Sequence, residues 1–166
     1  MRARYALIAV ISLVLAWCPG CSNKQASAPH GPDLAKRTAH EHEHKSAHGG
    51  VLNAIVTCEN GHAEVKLDGA KLRLWFVGGG ADTNKSVRVP DKSIKLEVNL
   101  NGKTRSLQLA PKPLELAGEK TGDSSHFEGS AEWLKGVRSF EASGTINFKG
   151  TPTALRIEYP KGYDPD

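Results

Sequence analysis

Between Val51 and Tyr159 the chain is written in short runs that alternate apolar and polar residues, broken by turn formers. In "HAEVKLD", Ala63, Val65 and Leu67 share one face, and His62, Glu64 and Lys66 the other. Asp68-Gly69 predicts a hairpin turn, after which "KLRLWFV" returns with Leu72, Leu74 and Phe76 inward. "SIKLEVNL" sets Ile94, Leu96, Val98 and Leu100 against Lys95, Glu97 and Asn99. Asn101-Gly102 is the strongest hairpin signal in the chain, and Leu107 and Leu109 continue the return strand. Phe140, Ile146 and Phe148 lie on one parity of "SFEASGTINF". After the turn "KGTP", Leu155, Ile157 and Tyr159 alternate with polar residues. Period-two alternation of this kind predicts about eight strands, each with one wet face.

One-sided strands belong to antiparallel sheets, since parallel strands are apolar on both faces. The expectation is an all-β domain, an antiparallel β-sandwich of the immunoglobulin-like kind, with a small barrel as the alternative. "SAEWLKGV" predicts one helical turn that drops Trp133 and Leu134 into the core, while Gly78–Gly80 and Lys112–Asp123 read as loops. Leu52, Ala54, Val56 and Cys58 share a parity, which predicts Cys58 as a small buried hydrophobe.

The region before Val51 has a different character. Arg2 and Arg4 precede an apolar stretch, Ala6–Ala16, broken only by Ser12. That stretch falls short of the ~20 residues needed to span a bilayer and reads as the core of an export signal. The following "CPGC" resembles the lipobox of bacterial lipoproteins, with Gly20 before the cysteine, although Cys18 stands where Leu is usual. The resemblance implies a signal peptide over residues 1–20, lipidation of Cys21 and a membrane attached through that lipid. The alternative is an ordinary cleaved signal with an unmodified Cys21. Cys18 would leave with the signal and Cys21 would carry lipid, so Cys58 alone remains and no disulfide framework is expected.

Residues 21–47 have few large apolar side chains and no sustained period, as in a flexible tether. As a coil this segment would place its ends roughly 28 Å apart. The folded domain is then expected over residues 48–166. Removing Arg2 and Arg4 leaves 20 basic against 18 acidic residues. These charges are interspersed, so no nucleic-acid partner is expected.

The tether ends in the chain's most unusual stretch, "AHEHEHKSAHGGVL". Neutral imidazole is the commonest transition-metal ligand. Extended, His40, His42 and His44 project from one side; helical, His40, His44 and His48 fall on one face. His62 and Glu64, two residues apart on one strand, are further candidate ligands, although outward polar residues of this kind are more often simply solvated. The candidate metal-ligating set is therefore His40, His42, His44, His48, His62 and Glu64. Such a site suits Zn²⁺, Cu²⁺ or Ni²⁺, with little selectivity beyond the Irving–Williams order. Met1 is the only methionine, which argues against a Cu(I) carrier built on soft sulfur. If His48 is to meet His62, the chain before Gly49 must fold back, a turn that Gly49-Gly50 permits.

"HGGVL" followed by "GHAEVKLDGAKLRLWFV", and later "SSHFEG", resembles a group of small bacterial envelope lipoproteins. These carry a His-rich leader, an HGG entry and a β-rich domain. The matching positions are His48, Gly49, Gly50, His62 and Glu64; the likeness departs after Phe76, where "VGGGAD" replaces a common acidic residue. Similar leaders occur on periplasmic components of heavy-metal efflux systems. The resemblance implies an envelope location facing the periplasm or the exterior, cation handling, and partners among efflux or other envelope proteins.

Catalytic signatures are missing from the sequence. There is no G-x-S-x-G elbow, H-E-x-x-H pair or phosphate loop. Asp123, Ser124, Ser125 and His126 are consecutive, which is poor geometry for a triad assembled in space. The expectation is a non-enzymatic protein. It either binds divalent metal through the tract, to buffer or deliver it, or serves as an interaction domain with incidental histidines.

Overall fold

In a computed structural model that describes residues 44–165, the chain forms eight strands. They are β1 (Val51–Ile55), β2 (Thr57–Asp68), β3 (Lys71–Val77), β4 (Ile94–Leu100), β5 (Lys103–Pro111), β6 (His126–Ser130), β7 (Phe140–Phe148) and β8 (Thr151–Tyr159). All neighbours pair antiparallel, in the order β1-β2-β3-β6-β5-β4-β7-β8. The expected export signal, Cys21, His40 and His42 lie outside the described residues.

The hairpin turns follow residue chemistry. Asn101 and Gly102 both take positive φ, 51° and 80°, in a two-residue loop between Leu100 and Lys103. Two left-handed central residues give the turn whose twist matches the flanking strands. Lys149 and Gly150 repeat it between β7 and β8, with φ of 51° and 83°. Pro152, which cannot donate to a ladder, sits on β8 at the end of the strand order, where the loss is tolerated.

The alternating apolar residues converge on one core. Phe76 meets Phe127 edge-on at 5.9 Å and Phe148 at 6.3 Å. Leu72, Leu74, Leu96, Val98, Leu109, Leu155 and Ile157 fill the space around them. The expected turn near Trp133 is a 3-10 turn, Glu132–Leu134, that buries Leu134 and lays Trp133 against the core.

The eight antiparallel strands form a single curled sheet, the barrel-like alternative rather than two packed sheets. Ala110 and Pro111 of β5 pair with Glu128 and Phe127 of β6, joining two four-stranded halves. Across the remaining gap, Asn53 links β1 to β8. Its fully buried Oδ1 accepts from the N–H groups of Glu158 (2.8 Å) and Tyr163 (2.9 Å). Its Nδ2 donates to the carbonyls of Val51 and Ala63, and Ala54 N–H donates to Tyr163 O at 2.7 Å.

The parity expected for β1 is corrected by this arrangement. Asn53 and Ile55, not Leu52 and Val56, lie on the core face, because Asn53 pairs with the inward Ala63. The register slips between Ala54 and Ile55, and Val56 turns outward at φ 67° with 57% of its surface exposed. Cys58, beyond that irregularity, is only partly buried.

Candidate functional site

The outer face of β2, β3 and β6 carries a cross-strand row of Glu64, Trp75 and His126. His62 lies on the same face of β2, opposite Val77. An outward His-Glu pair is expected to be solvated, yet both side chains are buried, at 3% and 0% exposure. The cover is the chain itself. Residues 44–50 fold back over β2, as the Gly-Gly pair permits: Gly49 takes φ +70°, and a Cβ on Gly50 would lie 2.7 Å from Val65 O and 2.9 Å from Glu64 Cγ. Only glycine lets the leader approach the strand this closely. Ala47 and His44 therefore belong to the folded body, which begins earlier than residue 48.

Glu64 is the centre of this docking. Its Oε1 accepts from the backbone N–H groups of His48 (2.8 Å) and Gly50 (2.8 Å). Its Oε2 accepts from Ala47 N–H (3.1 Å) and from His48 Nδ1 (2.9 Å). A buried carboxylate is tolerable only when its lone pairs are so occupied. Lys66 adds a hydrogen bond from Nζ to His48 O.

The docked His48 ring stacks on Trp75, with centroids 4.5 Å apart and planes 3° from parallel. His126 stacks on the same indole at 4.7 Å and 11°. Because β2 and β6 flank β3 on opposite sides, the indole sits between two imidazoles. Burial pushes the His126 pKa down, helped by His48 and Arg73 and opposed by Glu128 and Glu119. Its Nε2 is buried with no hydrogen-bond partner, 3.6 Å from Glu128 Oε1. Glu128 is itself held below the usual carboxylate range: burial works upward, but Lys71, His126 and Arg73 outweigh it.

His44 and His62 form a second pair. Their ring centroids are 4.8 Å apart, with planes at 46°. His62 Nδ1 lies 3.2 Å from Gly78 O. A carbonyl only accepts, so Nδ1 carries the proton and Nε2 of the neutral ring holds the lone pair. Burial pushes the His62 pKa down, the Gly78 bond pulls it up, His44 lowers it, and Asp164 and Glu59 raise it. The net direction is downward, toward the neutral form that binds metals.

Of the six candidate ligands, His44, His48, His62 and Glu64 are described, and they separate into two groups. His44 meets His62, whereas His48 is held by Glu64 and Trp75. Both Glu64 oxygens are engaged by donors from the leader. Among the described residues, no set of three or more His, Cys, Asp or Glu is placed to hold a metal ion.

Sequence reasoning missed two features. Trp75 was visible as a large aromatic on the polar parity of β3, beside Arg73, and that anomaly marks a covered face. Glu119 gave no signal. It is buried in the 112–123 loop and accepts from Ser125 Oγ (2.6 Å), Leu114 N–H (3.0 Å) and Ser125 N–H (3.3 Å). Burial raises its pKa, but these donors and Arg88 bring it below the ordinary value. Ser124 Oγ lies within hydrogen-bond reach of Glu119 and of the His126 carbonyl, so both serine hydroxyls of "DSSH" brace the loop.

No family model, curated protein or solved structure matches the chain.

Proposed function

We propose that this is a lipid-anchored protein of the bacterial envelope that binds a divalent transition metal where its His-rich leader meets the barrel, buffering the metal or delivering it. The single observation that carries this reading is the His44–His62 contact at 4.8 Å. It brings the last imidazole of the alternating tract against a histidine of the folded body. His62 has the environment of a metal ligand: its Nδ1 proton is fixed on a backbone carbonyl, which leaves Nε2 as the donor nitrogen. Glu59 and Asp164 contribute a negative field at the ring. Two protein ligands leave coordination positions to be filled, and His40 and His42 immediately precede His44 in sequence. Zn²⁺, Cu²⁺ and Ni²⁺ suit imidazole donors, and lipid on Cys21 would keep the site near the membrane surface.

A non-enzymatic interaction domain with incidental histidines is the second reading. It is favoured by the want of a three-ligand group among the described residues and by the full occupation of Glu64. Isothermal titration of the full mature chain with zinc, copper and nickel near neutral pH separates the two. The metal reading expects binding that weakens in His62→Ala and again when His40, His42 and His44 become Ala. Metal analysis of protein purified from its own envelope without affinity resin is the companion measurement. Empty native protein that also ignores all three ions ends the metal reading.

A further inference from the structure

Glu64 sits two residues from His62 and would pass for a ligand of the same site, yet the geometry points to a different role. We propose that Glu64 is a positioning residue: its buried carboxylate clasps the backbone of the leader and so holds His44 against His62. This inference rests on the metal reading above for its consequence, but not for its geometry.

The carboxylate is fully buried, and its four acceptor contacts all come from three residues of one segment, Ala47, His48 and Gly50. Three of the four donors are backbone N–H groups, so the contact reads the path of the leader rather than its side chains. The path is narrow. Gly50 has no room for a Cβ against Val65 O, and Lys66 of the same strand donates to the His48 carbonyl. The stack of His48 on Trp75 fixes the direction in which the segment leaves. With residues 47, 48 and 50 fixed, His44 is three residues from an anchored point and lies beside His62. Without the clasp, Ala47, His48 and Gly50 lose their shared acceptor, and the docked path that carries His44 to His62 is weakened.

The expected effect follows from population arithmetic. A ligand that needs the docked leader binds more weakly in proportion to the docked fraction, so undocking nine molecules in ten weakens apparent affinity about tenfold. Glu64→Gln is the discriminating change. It keeps shape and one acceptor oxygen but sets an amide NH₂ against Ala47 N–H, donor against donor. Zinc and copper titrations of the full mature chain should show affinity falling by about tenfold or more. Amide exchange should lose protection at Ala47, His48 and Gly50 while Leu74 and Leu96 in the barrel stay protected. Because Glu64 acts through the histidines of the leader, Glu64→Gln should add nothing to the loss already caused when His40, His42 and His44 all become Ala. Should Glu64→Gln fail to fold, Gly50→Ala pushes the leader away with Glu64 intact and is expected to weaken metal binding likewise.

The outcomes are distinct. Wild-type metal affinity in Glu64→Gln overturns the positioning role and leaves the metal reading standing. Additive losses in the combined variant overturn it too, because Glu64 would then contribute independently of the leader's histidines. If the wild-type chain binds no metal, the metal reading falls. The clasp is then decided by exchange alone: retained protection in Glu64→Gln overturns it, and lost protection supports it.

Discussion

Asn53 closes the barrel, and replacing it by Leu tests that assignment. The side chain is fully buried, and its Oδ1 is the hydrogen-bond partner of the N–H groups of Glu158 and Tyr163. Leucine has the same number and branching of side-chain heavy atoms but is larger and has no acceptor, so both part-buried donors would lose their partner. Each such group costs about 1–3 kcal/mol, which gives about 4 kcal/mol for the pair at mid-range. With a urea m-value of ~2 kcal/mol/M for a domain of this size, the midpoint should fall by about 2 M with m unchanged. Asn53→Asp keeps an acceptor for the two N–H groups but turns its second oxygen toward the carbonyls of Val51 and Ala63, which Nδ2 now serves. It should therefore also destabilise. Asn147 is the matched control. Its buried Oδ1 has no hydrogen-bond partner, so Asn147→Leu should cost less than about 1 kcal/mol. The assay is urea unfolding followed by far-UV circular dichroism and tryptophan fluorescence together. A midpoint shift below about 0.5 M at Asn53, or equal shifts at both positions, would refute the reasoning.

Further predictions concern single residues and pH. Val56 is a β-branched residue at φ 67°, so Val56→Gly should stabilise by about 1 kcal/mol, read as a rise in Tm; a fall would show that the left-handed turn is not strained. Trp75→Ala uncovers His126, whose pKa is lowered first by burial, so an NMR titration should find that pKa moving up. No movement would mean that the indole is not what desolvates the ring. His62 and His126 both have folded pKa values below their ordinary 6.5, so on acidification the unfolded chain takes up protons before the folded one. Their contribution is complete above that value and is lost as pH falls toward the depressed values. Glu119 and Glu128, held below 4.5, add a second loss at lower pH. Thermal melts should show Tm falling from pH 7 to 5, with a shallower fall in His62→Asn/His126→Gln; a rise would contradict the sign.

The strands were legible because period-two alternation and two-residue turns are local. Asn101-Gly102 dictates its own backbone, and Leu96 and Val98 need only know which face is dry. Sheet closure was not legible, since an inward-facing residue alternates identically in a sandwich and in a barrel. The distinction rests on the β5–β6 pairing at Ala110 and Pro111 and on Asn53, whose partners lie 105 and 110 residues away. Asn53 also misled the parity of β1, because a polar residue on the core face looks like an outward one until its partners are known. The burial of His62 and Glu64 was hidden for a related reason: the segment that covers them is the one that reads as tether.

The His-Gly-Gly entry and the His-x-Glu element attract notice together as a cation-binding pattern, and the docking of the leader accounts for most of that pattern without a cation. Gly49 turns the chain, Gly50 clears Val65 O, and Glu64 receives the resulting N–H groups. His48 is held by the same carboxylate and by Trp75. The metal reading therefore gains nothing from those residues as ligands and stands on His44 and His62, with His62 Nδ1 fixed on Gly78 O. It follows that a chain cut before Val51 is a poor instrument for asking what the barrel binds. The cut removes His44 and also strips a buried carboxylate of all four donors, exposing the charge of Glu64 and the face of Trp75 in one step. Point substitutions at His44 and His62 separate those effects, because they leave Glu64 and its four donors in the chain.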